Sequence, residues 1–220
     1  MAYICVIDGE KGAGKTTFMS LFAMLMLESF PSTTLWSNYE LRHAQPFVSY
    51  TDFLTMASLD FNLVLWDEAY TSMDSRNASN NKGQMYLTQI FNLLRKIRTI
   101  LVMSAVNMKS LDSRVREDID IYIFARIKKG STVYEFYDYR TERLLNRKVV
   151  NRDRMKALLG DVHLFKSWRP VSPLILPDKD SFPIFAEKLK VINDEWVKNN
   201  HPDIYYSFEN SELPKASFAY

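Results

Sequence analysis

Residues 9–16, Gly-Glu-Lys-Gly-Ala-Gly-Lys-Thr, match G-x-x-x-x-G-K-[S/T] at every fixed position. Chance puts this pattern in only on the order of one chain of this size in a hundred. The flanks fit it as well. Ala2 to Asp8 (AYICVID) is a short apolar run rich in β-branched and aromatic residues and reads as a buried strand. Lys15 to Phe30 reads as a helix, with Phe18, Leu21, Phe22, Leu25 and Met26 at helical spacing and Pro31 ending it. Strand, glycine-rich turn and helix together turn backbone N–H groups inward around an anion, and the helix N-terminus adds partial positive charge. Gly9, Glu10, Lys11, Gly12, Ala13, Gly14, Lys15, Thr16 and Thr17 are thus candidates for gripping a triphosphate. Lys15 is placed to reach the β- and γ-phosphates, and the Thr16 hydroxyl to ligate Mg²⁺.

Triphosphate hydrolysis also needs a carboxylate to help hold Mg²⁺ and a base to orient water. Phe61 to Trp66 (FNLVLW) reads as a buried strand running straight into Asp67-Glu68. Asp67 is the second candidate metal residue beside Thr16. Glu68, one residue on, is placed to polarise water. Kinases for small molecules usually lack a Glu there, so the pair favours hydrolysis coupled to motion.

The remaining segments read as a repeating α/β pattern. Thr33–Ser37 reads as another strand, and Thr99–Ala105 and Ile119–Ile127 as further buried ones. Gln84 to Arg98 reads as a helix with Ile90, Phe91, Leu94 and Ile97 on one face. Lys128–Ser131 reads as a hairpin turn before a partly alternating strand, Thr132–Tyr139. Such alternation implies a mostly parallel sheet sandwiched by helices, with an antiparallel edge. Ser72–Gly83 is polar and reads as a loop, either an ordinary surface loop or a part that moves with the γ-phosphate. From about Gly160 the texture changes: Pro170, Pro173, Pro177 and Pro183 punctuate it, a helix is expected over Phe182–Asn199, and Pro202–Tyr220 reads as irregular. The expected division is an ATPase domain over 1–159 and an extension over 160–220 that packs on the core or on a neighbouring subunit.

Composition excludes other classes. With 47% hydrophobic residues in 220, the chain is neither disordered nor low-complexity. Its one cysteine, Cys5, excludes an intrachain disulfide framework and reads as a small buried hydrophobe. The longest apolar run, Leu21–Leu27, is too short to span a bilayer, and Asp8 interrupts the N-terminal run, so a soluble, unsecreted, intracellular chain is expected. The net charge of +2 conceals a basic middle: residues 95–154 carry 15 basic and 8 acidic side chains. Polyanion binding and a solvated sheet edge both account for that. His43, His163 and His201 lack metal-ligand spacing.

Four stretches carry a family resemblance: Val64-Leu65-Trp66-Asp67-Glu68-Ala69-Tyr70, Asp74-Ser75-Arg76, Leu93-Leu94-Arg95-Lys96 and Leu111-Asp112-Ser113-Arg114-Val115-Arg116. In this order they resemble the FtsK/HerA superfamily of P-loop ATPases, and within it the genome-packaging ATPases of tailless, internal-membrane double-stranded DNA viruses. They are also similar to the ATPase domain of zonula-occludens-toxin-like assembly proteins of filamentous phages. The resemblance covers roughly residues 1–127. It implies a RecA-like P-loop NTPase core working as a homo-oligomeric ring, with ATP and Mg²⁺ at subunit interfaces and an arginine of the neighbour completing each site. Arg76, Arg95, Arg98, Arg114 and Arg116 are the candidates for that arginine. The family often has a γ-phosphate-sensing Gln at the tip of the fourth strand; here Asn107 is the corresponding candidate. Tyr70 stands where the family frequently has His.

The implied activity is ATP hydrolysis driving double-stranded DNA into a capsid, in host cytoplasm or virion, with capsid or viral membrane proteins as possible partners. DNA contact for such a motor is made through phosphates and is blind to sequence, with Lys82, Lys109, Lys128 and Lys129 as candidates. A filamentous-phage-type assembly or secretion ATPase, and a non-motor nucleotide switch or kinase, are the alternatives.

Overall fold

The structure, a computed structural model, describes residues 3–71, 81–154, 164–166 and 169–209. Its strands are β1 (Ile4–Gly9), β2 (Thr33–Ser37), β3 (Gln45–Pro46), β4 (Phe61–Trp66), β5 (Thr99–Ala105), β6 (Ile121–Lys128), β7 (Ser131–Asp138) and β8 (Leu144–Asn151). They form one sheet in the order β3-β2-β4-β5-β1-β6-β7-β8. Every pairing from β3 to β6 is parallel, whereas β6–β7 and β7–β8 are antiparallel. A parallel strand is covered on both faces, so it reads as a continuous apolar run. β4 and β5 do so, and Leu63, Val64, Leu65, Trp66, Leu101, Val102 and Met103 are all buried.

Helix α1 (Lys15–Ser29) covers one face, where Met19 and Ala23 pack on Ile7, Leu63, Leu65 and Val102. The other face is covered by α2 (Asp52–Ala57), α3 (Asn81–Phe91), α4 (Ser113–Glu117) and α5 (Ser181–Asn200). There Val6, Val64, Trp66 and Leu101 meet Leu87, Ile90, Val115 and Phe185. The parity of β4 thus sends Leu63 and Leu65 towards α1, and Asp67 continues that face just past the strand end.

β6 and β7 are joined by Lys129-Gly130, both at positive φ (46° and 76°), the tight turn that suits the twist of a hairpin. The hairpin tip lies at the same end of the sheet as the loop after β1, since β6 runs parallel to β1.

Several elements differ from the sequence reading. The helix expected over Gln84–Arg98 is shifted: α3 spans Asn81–Phe91, so residues 81–83 belong to it rather than to the polar loop. After Phe91 the chain tightens into i−3 turns (Leu93 N to Ile90 O, 2.8 Å; Lys96 N to Leu93 O, 2.8 Å) and ends at Arg98 with φ +53°. Leu94 and Ile97 remain buried in those turns, so the apolar spacing tracks burial and not helix. Pro202–Glu209, read as irregular, forms helix α6, with Pro202 at its first position, where the missing N–H costs nothing. β8 went unread because almost all its residues are exposed, as suits a charged edge strand. Residues 72–80, including Arg76, lie outside the described residues, as does His163. No helix among the described residues is long and apolar enough to cross a membrane.

Candidate nucleotide site

The loop between β1 and α1 is shaped by its glycines. Gly9 has φ +149° and pairs with Ala125 of β6; a Cβ there would run into the Ala125 carbonyl oxygen. Gly14 caps α1 in the left-handed region, φ +84°, a conformation glycine adopts without steric cost. Its carbonyl accepts from Phe18 N (2.9 Å) and from the Tyr134 hydroxyl of β7 (2.9 Å), so the antiparallel edge braces the loop. Arg152, just past β8, donates to the Gly12 carbonyl at 3.4 Å.

Lys15 folds back over this loop. Its Nζ donates to the carbonyls of Gly9 (2.7 Å) and Glu10 (3.1 Å). Desolvation pulls its ammonium below the ordinary lysine value, opposed by the attraction of Asp67, Asp8 and Glu68. Three carboxylates of two different strands therefore sense one ammonium, which a phosphate chain displacing the carbonyls would meet next.

Thr16 and Asp67 face each other across the cleft: Thr16 Oγ1 donates to Asp67 Oδ2 at 2.7 Å. Asp67 is only 7% exposed. Its other oxygen accepts from Ser104 Oγ of β5, and Glu68 N donates to both Ser104 Oγ (3.0 Å) and Asp67 Oδ1 (3.1 Å). Glu68 itself is exposed and sits at φ +51°, and its carbonyl accepts from Thr71 N (2.9 Å) and Oγ1 (2.9 Å). A cavity of about 360 Å³ opens here, bounded by Lys15, Thr16, Asp67, Glu68, Ser104 and, from the C-terminal segment, Phe165.

This donor set suits Mg²⁺. A hydroxyl and a carboxylate, both hard oxygens, meet at one point of a cleft that also holds the phosphate loop, and Mg²⁺ favours one or two protein oxygens with phosphate and water completing its octahedron. Among the described residues no cluster of three or more His, Cys, Asp or Glu offers a cation a separate site.

Of the sequence candidates, the structure brings together the phosphate loop, Lys15, Thr16, Thr17, Asp67 and Glu68. Asn107 is placed differently. It is exposed beyond β5, its amide oxygen accepts from Lys109 N (2.8 Å) to cap the 3-10 turn Met108–Ser110, and it does not bound the cavity. Arg114 grips Asp112 with two bonds, Nε at 2.9 Å and Nη2 at 2.8 Å. Arg116 is partly buried and its Nε has no hydrogen-bond partner. Arg98 precedes β5, at the sheet end away from the loop. It donates to Leu59 O, Ala57 O and Asn193 Oδ1 and lies 3.4 Å over the Trp196 ring. That is a clamp on α5. Lys128 and Lys129 are exposed at the hairpin tip and Lys109 beyond β5.

Two site residues escaped the sequence reading. Ser104 is a polar residue inside the apolar strand TILVMSA, on the strand between the phosphate-loop strand and the acidic strand; its polarity there was the available signal. Asn38 follows β2 directly and binds the Asp67 backbone.

No protein-family model and no curated protein matches the chain. Solved structures do. The N-terminal domain of zonular occludens toxin from Neisseria meningitidis superposes with a TM-score of 0.51 at 15% identity, covering 76% of this chain and all of that one. B204, the DNA-packaging ATPase from Sulfolobus Turreted Icosahedral Virus, gives 0.49 at 14% identity over 67% of this chain and 96% of its own. The B204 genome-packaging NTPase from Sulfolobus turreted icosahedral virus 2, in complex with ATP-gammaS, gives 0.48 at 12% identity with the same coverage. With a phosphate loop after the central strand and an antiparallel edge beyond it, the chain has the RecA-like P-loop NTPase fold, in the form also seen in the zonular occludens toxin N-terminal domain.

Proposed function

We propose that the chain hydrolyses ATP and uses the energy to move double-stranded DNA, as a ring-forming genome-packaging motor. The observation that carries the hydrolytic part is the bonded chain Thr16–Asp67–Ser104–Glu68, which ties the phosphate loop to the acidic pair. The packaging part is supported by the sequence order of the Asp67-Glu68-Ala69, Ser75-Arg76, Arg95-Lys96 and Leu111–Arg116 elements.

In this reading the loop N–H groups and Lys15 take the β- and γ-phosphates, replacing the carbonyls Lys15 now contacts. Thr16 and Asp67 would hold Mg²⁺, which when bound supplies charge neutralisation at the phosphate oxygens. Glu68 accepts a proton from the attacking water, or orients it, from the exposed side of the cleft. Asp67 stays fixed because both its oxygens are already bonded. Charge on the departing phosphate is further met by an arginine from a neighbouring copy, with Arg76, Arg114 and Arg116 as candidates; Arg114 must release Asp112 to serve.

Steady-state ATP turnover, measured with and without double-stranded DNA of several sequences, tests the reading. Turnover is expected to vanish in Lys15→Ala. It is expected to rise with DNA of any sequence and to lose that rise at high salt, since phosphate contacts are screened and counterion release weakens. A rate indifferent to DNA overturns the motor. A chain that binds ATP without turnover overturns hydrolysis.

A further inference from the structure

Asn38 is the most heavily committed polar side chain near the acidic pair. It is 3% exposed and stands where β2 ends, beside the end of β4. Its Oδ1 accepts from Asp67 N at 2.7 Å, and its Nδ2 donates to Asp67 O at 2.9 Å. The same Nδ2 donates to Ser172 O at 3.1 Å, and Ser172 N returns a bond to Asn38 O at 2.8 Å. One side chain thus satisfies both backbone groups of Asp67 and a carbonyl of the C-terminal segment.

That segment follows the loop after β2. Arg42 N donates to Leu164 O (2.9 Å), Lys166 N to Glu40 O (3.2 Å) and Ile175 N to Val48 O (2.9 Å). Glu40 pairs with both Lys166 and Arg169. Phe165 stands edge-on to Tyr39, 6.0 Å between centroids, and forms part of the nucleotide cavity. Tyr39 in turn shares a hydrogen bond with Ser20 of α1 (3.1 Å).

The chemistry of the position is selective. It demands one acceptor, facing an N–H, and two donors, facing carbonyls. A carboxamide supplies both from one group, and the partners leave only one assignment of its oxygen and nitrogen. An aspartate keeps the acceptor but turns an oxygen towards two carbonyls. A hydroxyl reaches fewer partners.

We infer that Asn38 is a positioning residue for the nucleotide site: it fixes the backbone of Asp67, and so the carboxylate that faces Thr16, and through Ser172 it ties the C-terminal segment to that same backbone. The described residues 164–166 and 169–175 then belong to the working site and not only to the surface. The inference rests on the nucleotide reading of the site, but not on hydrolysis.

Its test uses the full chain, a fluorescent non-hydrolysable ATP analogue and Mg²⁺. In the wild type Mg²⁺ strengthens analogue binding by some factor. In Asn38→Asp that factor is expected to fall about tenfold, because the backbone that aims the Asp67 carboxylate loses its donor, while metal-free binding on the phosphate loop stays within about twofold. Asn38→Ser, which adds no charge, is expected to fall in the same direction. Amide exchange at Asp67 is expected to quicken in both variants, a readout that needs no ligand. An unchanged Mg²⁺ factor in the folded variants overturns the inference. So does an equal loss of metal-free and Mg²⁺-bound affinity, the signature of a merely structural role. A wild type that binds the analogue but does not turn ATP over counts against the hydrolysis reading alone. One whose binding ignores Mg²⁺ overturns both.

Discussion

Glu68 occupies the left-handed region, φ +51°, which costs a non-glycine residue about 1 kcal/mol. The bend is held by what it gains: Glu68 N reaches Ser104 and Asp67, and its carbonyl closes a turn with Thr71. The result is one acid turned inward to Thr16 and the next turned out to the cleft, from adjacent positions. Two chemically equal carboxylates are thereby set in different surroundings. Glu68→Gln keeps the size and the backbone bonds but cannot accept a proton. Its expected outcome is ATP bound with unimpaired affinity and turnover lowered by a factor of about a hundred or more, the scale of a general base. Filter binding and single-turnover kinetics measure the two halves, and turnover near wild type removes Glu68 from the chemistry. At this scale the sequence was legible where a residue's place is set by near neighbours along the chain. Lys15 and Thr16 follow from their spacing after Gly9, and Asp67 from the strand before it. Ser104 and Asn38 were not, because sheet pairing gives them their partners: β5 and β2 flank β4, so residues far apart in sequence converge on Asp67. Asn107 shows the opposite case. Its position along the chain fits a sensor, yet a local bond to Lys109 N holds it as a turn cap.

The elements repeat that division between local and distant causes. β4 and β5 were readable to the residue because strands buried on both faces carry largely apolar runs, and β2 because β-branched and aromatic residues dominate it. The end of α3 was not, because the apolar spacing of Leu94 and Ile97 continues through turns that are no longer helical. Those turns deliver Arg98 to a place the sequence did not suggest. Its guanidinium takes the carbonyls of Ala57 and Leu59, the Asn193 side chain and the face of Trp196, while Trp196 Nε1 bonds Asp60 (3.2 Å). Helix α5 is thus pinned to the end of the sheet remote from the phosphate loop. Arg98→Ala leaves partly buried carbonyls without a donor and removes a cation–π contact, so it is expected to destabilise the fold by about 2–3 kcal/mol. Chemical denaturation measures this. If α5 is all that Arg98 serves, turnover per folded molecule stays unchanged. A fall in turnover with stability intact would instead make Arg98 the arginine that acts on a neighbour.

For the whole molecule, the charge balance of the cleft is where the proposed neighbouring copy can be tested. Lys15 is the cation that Asp67, Asp8 and Glu68 all address, and no arginine among the described residues bounds the cavity. In the proposed reading a leaving γ-phosphate adds negative charge beside two carboxylates, with Lys11 and the half-desolvated Lys15 as the cations that bound the cavity. Arginines supplied from outside are worth about 10³-fold or more in phosphoryl transfer. Arg114 and Arg116, on α4 beyond β5, are two of the described candidates: the first is held by Asp112, the second has a buried Nε with no hydrogen-bond partner. Mixing separates action in trans from action within one chain. Lys15→Ala has a dead site but intact arginines, and Arg114→Ala/Arg116→Ala has an intact loop but no donor. Each alone is expected to be inactive. If the arginine comes from a neighbour, a mixed ring pairs a sound phosphate loop with a sound arginine at some interfaces, and turnover returns to a fraction of wild type that depends on the mixing ratio. Light scattering with ATP and DNA present shows whether the mixture has assembled. Assembly without recovered turnover assigns the missing charge to the chain's own residues and removes the subunit interface from the chemistry.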